Sequence, residues 1–162
     1  MEYLGLFDNS GNPLHKTIVR GNKDFKTGEN IKLATIWIKC KDEFLIQKCS
    51  IEKGGEFATT GGHVQAGKTS LEQAVLELKE ELNLDVEKSQ LRFLGNIYRP
   101  HAIFDVFILE DDNLKTFKFV LQKEEVESVH WLKTGDILEL VKDGKLRASS
   151  AEQFAKFIQK NS

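Results

Sequence analysis

The sequence predicts an α/β protein, an α/β/α sandwich with a mixed central sheet. Three observations carry that expectation. Apolar runs of strand length recur along the chain, IKLATIWIKC at 31–40 and AIFDVFIL at 102–109 among them. After Thr69 the period changes, and Leu71, Ala74, Val75, Leu78 and Leu82 fall on one arc at about 100° per residue. Helices that interrupt strands must then cover both faces of the sheet.

Along the chain, Tyr3–Phe7 reads as a short strand, DNSGNP as a turn, and His15–Arg20 as the returning strand of a hairpin. Beyond a polar loop, Ile31–Cys40 and Glu43–Lys48 make a strand pair around the polar KDE turn, and Phe57–Thr60 makes a further strand. The amphipathic helix follows, with Thr69 or Ser70 as N-cap and Ser70 with Gln73 as a capping-box pattern. Asn83 suits the left-handed residue that closes a helix. Leu91–Tyr98, Ala102–Leu109, Lys115–Leu121 and Ser128–Leu132 read as strands. Thr134 opens a short helix ending near Asp143-Gly144, and Ser149 or Ser150 caps a last helix running to about Lys160. Trp37 and Phe57 lie in apolar strand patterns and are assigned to the core rather than to base stacking.

With 162 residues and 40% hydrophobic content, the chain suits one domain spanning 1–162. A net charge of −2, from 23 basic and 25 acidic residues, gives no general attraction to nucleic acid polymers. A single nucleotide remains open, because a metal can carry phosphate charge. No basic leader and no apolar run approaching ~20 residues is present, so a cytoplasmic chain without a membrane partner is expected. Cys40 and Cys49 flank the KDE turn and are read as buried thiols rather than a disulfide or a metal pair.

The chemistry concentrates at GGHVQAGKTSLEQAVLELKEELNL, where Glu77, Glu80 and Glu81 gather beside the apolar arc. Like charges at i,i+3 and i,i+4 disfavour a helix, so something positive should compensate. One reading is a solvated acidic face relieved by Lys79. The other is a divalent metal: Mg²⁺ and Mn²⁺ prefer carboxylate and water oxygens, and Mg²⁺ is usually bound through one or two carboxylates plus substrate phosphates. A small-molecule diphosphate substrate fits that chemistry.

This segment resembles the Nudix box. Aligned with it, the first Gly falls on Gly62, the Arg-Glu pair on Leu76-Glu77, and the Glu-Glu pair on Glu80-Glu81. Lys68 stands where the family has its first Glu, Leu76 where it has Arg, and Asn83 where it has Gly. The resemblance implies a Nudix-type sandwich and Mg²⁺- or Mn²⁺-dependent hydrolysis of a diphosphate linkage. It implies metal ligation by Glu77, Glu80, Glu81 and the Gly62 carbonyl, with Glu80 and Glu81 catalytic. In the family the first Glu and the Arg orient the metal-binding carboxylates, so Lys68 and Leu76 are expected to weaken activity. They also leave room for a module that binds a diphosphate without cleaving it.

The resemblance also implies a late Glu that binds metal or deprotonates water, for which Glu124, Glu125 and Glu127 stand in the right region, with Glu125 taken as the catalytic candidate. Lys68, His63 and Asp105 are the substrate-binding candidates, Asp105 being open between lining a pocket and an edge-of-sheet hydrogen bond. Tyr98, Arg99 and His101 are placed to hold a base or phosphate. The opening LGLFDNSGNPLHKTIVRGN, with ATIWIKC and FLIQKCS, resembles the branch related to isopentenyl-diphosphate isomerases. In those enzymes a Cys precedes the metal-binding His by two residues. His63 matches the His, but the Cys position falls on Gly61, which implies a hydrolase-type relative rather than an isomerase.

Overall fold

A computed structural model describes residues 1–159. Nine strands are numbered in chain order: β1 (Tyr3–Phe7), β2 (Pro13–Val19), β3 (Ile31–Cys40), β4 (Glu43–Cys49), β5 (Phe57–Ala58), β6 (Thr60–His63), β7 (Leu91–Arg99), β8 (Ala102–Glu110) and β9 (Val126–Lys133). The helices are α1 (Ser70–Leu82), α2 (Thr134–Lys142) and α3 (Ala148–Gln153), and a π turn over Phe154–Ile158 continues α3. The expected end of that helix near Lys160 lies outside the described residues.

Strands β1 and β2 form an antiparallel hairpin, and the other seven strands form one mixed sheet. Within that sheet β3 and β8 are parallel over nine residue pairs, from Ile31↔Ala102 to Lys39↔Glu110, and the remaining pairings are antiparallel. The alternation along β3 sends its side chains to two cores. Ala34, Ile36 and Ile38 pack with Ala74, Leu78 and Leu82 of α1 on one face. Trp37 packs with Ile137 of α2 and with Phe154 and Ile158 on the other. Helices thus cover both sides of a mixed sheet, as the sequence predicts. Trp37 is fully buried and Phe57 packs at the edge of the same core, as expected of both.

The feature that positions the site is a fork. β3 and β4 are paired only at Lys39↔Phe44 and Cys40↔Glu43. Beyond that turn β3 takes β6 as its antiparallel neighbour, while β4 takes β5 and β9. The two strands therefore diverge, and a gap opens where β6 leads into α1.

Local chemistry differs from expectation at three places. The α1 cap is Thr69, whose hydroxyl accepts from the Glu72 N–H while Glu72 accepts from the Thr69 N–H. The capping box is thus Thr69–Glu72, not Ser70–Gln73, because Gln73 faces the interior. Lys115–Leu121 is no strand. Its apolar residues Phe119 and Leu121 pack on the α1 core, but its backbone serves the end of that helix, with the Val120 N–H donating to Leu82 O and the Gln122 N–H to Glu81 O. Free carbonyls at a helix C-terminus need donors, and this segment supplies two of them. The last helix is preceded by Arg147 rather than capped by Ser149 or Ser150. Ser150 is buried and its hydroxyl accepts from the Thr59 N–H. Asn83 does adopt the left-handed conformation, φ 55° and ψ 38°, and closes α1.

Asp105 is committed inside this frame. Its carboxylate accepts from Lys32 Nζ at 3.0 Å and from Asn96 Nδ2, and both Lys32 and Asp105 are largely buried. Removing one partner of a buried pair strands the other charge. Lys32→Met is expected to lower unfolding free energy by about 3–5 kcal/mol in denaturant titrations. Adding Asp105→Leu should recover most of that loss. A Lys32→Met protein as stable as the native one would show that the pair is not structural.

Candidate active site

The gap between β3 and β4 holds a cavity of about 510 Å³. Glu77, Glu80 and Glu81 of α1 line it, as do Gly62 and His63 of β6 and Glu125 of the loop before β9. The three carboxylates and the glycine singled out in the sequence are thus brought together. Of the three late glutamates, Glu125 lies at the cavity, Glu127 pairs with Lys48 at 3.3 Å, and Glu124 is not among its lining residues.

The cavity wall is built around a close carboxylate pair. Glu81 is 4% exposed, and Glu77 of the preceding helical turn lies close enough to raise its pKa. Burial pushes its pKa well above the usual carboxylate value; the Glu77 hydrogen bond and charge push the same way, and the Gln47 hydrogen bond opposes them. Glu80 stands at the exposed side of the helix. Its pKa is also raised, first by desolvation and then by Glu77 and Glu2, with Lys68 opposing.

Two glutamines hold these carboxylates in place. Gln73 Nε2 donates to Glu77 Oε1 at 2.8 Å, while Gln73 Oε1 accepts from the Gln65 N–H at 3.1 Å. Gln47 Nε2 donates to Glu81 Oε1 at 3.2 Å, while Gln47 Oε1 accepts from Thr60 Oγ1 at 3.1 Å. The backbone N–H anchors the Gln73 oxygen, so its nitrogen can only face Glu77, and the Thr60 hydroxyl holds the Gln47 oxygen with its nitrogen toward Glu81. Both glutamines are buried. The sequence reading missed them. The available signals were a Gln inside the apolar run FLIQKC and a Gln four residues ahead of Glu77 on one helix face.

Gly61 and Gly62 owe their places to close approach. A Cβ on Gly62 would run into the Glu77 carboxylate. One on Gly61 would lie 2.5 Å from the Ala34 carbonyl oxygen of β3. No side chain fits at either position without moving a neighbour.

Cations from distant parts of the chain complete the cavity: Arg20 after β2, Lys53 after β4 and Arg147 before α3. Each is paired with a carboxylate, Arg20 with Glu2 at 2.9 Å, Lys53 with Glu125 at 3.4 Å, and Arg147 with Glu56 at 3.2 Å. No local motif marks them, because only the fold assembles them. His63 lies among them with its pKa lowered, mainly by burial and then by Arg20, which keeps its imidazole neutral at neutral pH. Cys49 also faces the cavity, and burial pushes its thiol pKa up. Cys40 and Cys49 are both buried and free, as the sequence reading has them.

Two expected substrate contacts fall elsewhere. Asp105 is not among the residues lining this cavity, whereas its neighbour Phe104 is. Strand alternation explains this, since Phe104 shares a face with Leu33 and Thr35, which line the cavity, and Asp105 points to the opposite face toward Lys32. Its open alternative, a hydrogen bond within the sheet region, is the one realised, through Asn96 of β7. Lys68 also lies outside the lining, and its charge acts on Glu80 instead.

The donor set fits a hard divalent cation. Carboxylate oxygens crowd together, two of the three groups have pKa values raised by burial and then by the neighbouring Glu77, and the Glu77 and Glu81 orientations are fixed by amides. Among the described residues no group of three Asp, Glu, His or Cys side chains is arranged to hold a metal ion.

Residues 32–157 match the family model of the NUDIX domain, and the chain belongs to this family. Solved structures share the fold. DR0079 from Deinococcus radiodurans aligns over 97% of this chain and 99% of its own, at 18% identity and a TM-score of 0.78. A bifunctional NMN adenylyltransferase/ADP ribose pyrophosphatase from Francisella tularensis, complexed with AMP and a Mn ion, aligns over 85% of this chain and 43% of its own, at 16% identity and TM-score 0.66. The MutT NUDIX hydrolase from Burkholderia pseudomallei aligns over 64% of this chain and 83% of its own, at 15% identity and TM-score 0.55. A search of curated proteins finds no match by sequence. No helix among the described residues is long and apolar enough to cross a membrane.

The raised pKa of Glu81 makes a prediction about stability. Between the ordinary value of 4.5 and its higher folded-state value, the native protein keeps a proton that the unfolded chain has released. This group's contribution therefore falls as pH rises through that window. Glu81→Gln should keep the Gln47 contact and remove the titration. Without added metal, it should melt higher than the native protein at pH 7, and its melting temperature should vary less between pH 4.5 and 7. A lower melting temperature at pH 7 would show that the Glu81 charge is already compensated.

Proposed function

We propose that this protein hydrolyses the diphosphate linkage of a small organic diphosphate, with a nucleoside diphosphate derivative as the leading candidate, in a reaction that depends on Mg²⁺ or Mn²⁺. The observation that carries this reading is the buried Glu81 beside Glu77, in a cavity that Arg20, Lys53 and Arg147 also line. Negative groups for a cation and positive groups for phosphates share one space. The AMP and Mn ion of the Francisella tularensis structure support a ligand of this class.

Glu77, Glu80 and Glu81, with the Gly62 carbonyl, would hold the metal, which supplies neutralisation of phosphate oxygens and a lowered pKa for water. Arg20, Lys53 and Arg147 bind phosphate oxygens, exchanging their carboxylate partners for those of the substrate. Glu125, released from Lys53 by that exchange, takes the proton of the attacking water as the bond to the leaving phosphate breaks. His63, being neutral, contributes a hydrogen bond rather than charge. Gln73 and Gln47 take over the orienting role that Lys68 and Leu76 do not fill.

Lys68 and Leu76 favour a second reading, a Nudix-fold module that holds a diphosphate without cleaving it. The resemblance to the isomerase-related branch stops at Gly61, where the approach of Ala34 O leaves no room for the thiol that would donate a proton. Isopentenyl diphosphate should therefore remain unisomerised. Formation of dimethylallyl diphosphate that is lost on substituting His63 would overturn that statement.

A panel of nucleoside diphosphate derivatives, assayed for phosphate or monophosphate release with Mg²⁺ or Mn²⁺, tests the hydrolase reading. Metal-dependent release is expected, abolished by Glu81→Gln and lowered by about 10–100-fold by Gln73→Leu. Lys68→Glu with Leu76→Arg should raise the rate by less than about tenfold, because Glu77 and Glu81 are already held. Tight diphosphate binding with no turnover in any form would favour the binding module.

A further inference from the structure

The link between β4 and β5, residues 50–56, is pinned at its base. There the Cys49 N–H donates to Glu56 O, the Ser50 N–H to Glu125 O and the Ser50 hydroxyl to Glu124 O. Above the base, Ile51–Lys53 make a single helical turn, followed by Gly54 at φ 105° and Gly55 at φ 69°. The turn closes on itself, with the Lys53 and Gly55 N–H groups donating to Ser50 O and the Gly54 N–H to Ile51 O. None of its residues is buried, and Ile51, its one apolar side chain, is 81% exposed. Without packed side chains, little holds such a segment in one place. Two successive glycines in the left-handed region, where a Cβ is strained, let it pivot.

Among the described residues, the hydrogen bonds and ion pairs that tie residues 51–55 to anything beyond the loop all run through Lys53. Its Nζ pairs with Glu125 at 3.4 Å, and its carbonyl oxygen accepts from Arg147 Nη2 at 3.3 Å. Arg147 is held in turn by Glu56 at 3.2 Å and by Cys49 Sγ at 3.4 Å. Lys53, Arg147 and Glu125 all line the charged cavity. The loop is thus fastened only by groups of the candidate active site.

We propose that residues 51–55 are a flap that closes over this cavity when a diphosphate binds, and that its two fastenings make the site select two linked phosphates over one. The proposal rests on the phosphate-binding part of the hydrolase reading. Phosphate oxygens accept charge-assisted hydrogen bonds from either cation, and so compete with the carboxylates and the carbonyl that hold them in the free protein. When Arg147 turns to one phosphate it lets go of the Lys53 carbonyl, and when Lys53 turns to the other it lets go of Glu125. The flap then follows its lysine into the cavity, pivoting on Gly54 and Gly55. A single phosphate takes one cation and leaves the other fastening in place. Only the ligand that engages both has the differential affinity that shifts the flap.

Hydrogen exchange read by mass spectrometry on peptides covering 50–56 tests this in Mg²⁺, with methylenediphosphonate and inorganic phosphate each at concentrations that calorimetry shows to saturate the protein. Neither probe is hydrolysed, so the readout needs no turnover. Methylenediphosphonate should slow exchange in the flap by about fivefold or more, and phosphate should leave it near the rate of the free protein. Glu56→Gln loosens Arg147, so exchange in the free variant should rise by roughly two- to fivefold and methylenediphosphonate should bind more tightly. In Lys53→Met the ligand should still bind, more weakly, without slowing the flap. The proposal is overturned if bound methylenediphosphonate leaves flap exchange unchanged, if phosphate slows it as much, or if Lys53→Met still shows the slowing. Absence of methylenediphosphonate binding would overturn it together with the phosphate site. Failure of the hydrolase reading alone looks different: the flap slows on binding, as proposed, while no cleavable diphosphate is turned over.

Discussion

Glu81 is a carboxylate placed where a carboxylate is least comfortable, nearly out of solvent and against a second carboxylate from one turn earlier in the same helix. Its neighbours show how the chain accommodates that. The fork between β3 and β4 opens the cavity that Glu81 faces, Gly62 lacks the Cβ that would displace Glu77, and two buried glutamines each spend one end on the protein and one on a carboxylate. These features belong to separate strands and a helix, yet each is set by the need to keep two like charges adjacent. Local strain of this type persists only where the surroundings over-determine it, and it gathers at functional sites.

The use of amides rather than cations for that support has an electrostatic consequence. A guanidinium at position 76 could orient a carboxylate, but it would also cancel one unit of the charge that draws a metal. Gln73 and Gln47 orient without neutralising, so the field of Glu77 and Glu81 remains available to an incoming cation. Lys68 does act on this field, through Glu80, from outside the cavity lining. The cations that do line the cavity are paired with other carboxylates, Glu2, Glu56 and Glu125. Attraction for a cation and attraction for phosphate thus both persist in one cavity.

How much of this was legible in the sequence depended on whether the signal was periodic. The α1 arc was readable because Ala74, Leu78 and Leu82 repeat at helical spacing, and that arc fixed where the three glutamates had to stand. The sequence predicts a mixed sheet without pairing its strands, and the structure makes β3 and β8 its parallel pair. Arg20, Lys53 and Arg147 carry no common spacing, so nothing local could have gathered them. The 115–121 stretch misled for a physical reason: its apolar alternation is real and its side chains do pack on the core, but periodicity reports burial and not the partner of the backbone. Asp105 shows the same limit, because alternation gives two faces without saying which of them holds the cavity.

That misread stretch also ties the proposed proton acceptor to the proposed metal site. Its Val120 and Gln122 N–H groups end on the carbonyls of Leu82 and Glu81, so the loop is anchored to the same helical turn that carries the buried carboxylate. From Gln122 the chain needs only three residues to reach Glu125, and that short span is pinned again where the Ser50 N–H donates to Glu125 O and the Ser50 hydroxyl donates to Glu124 O. The Glu125 backbone is therefore fixed relative to the end of α1, and its charge is close enough to raise the Glu81 pKa. Had residues 115–121 formed a sheet strand, those N–H groups would have been spent on a neighbouring strand. Glu125 would then be positioned by the sheet rather than by the helix that bears its chemical partners.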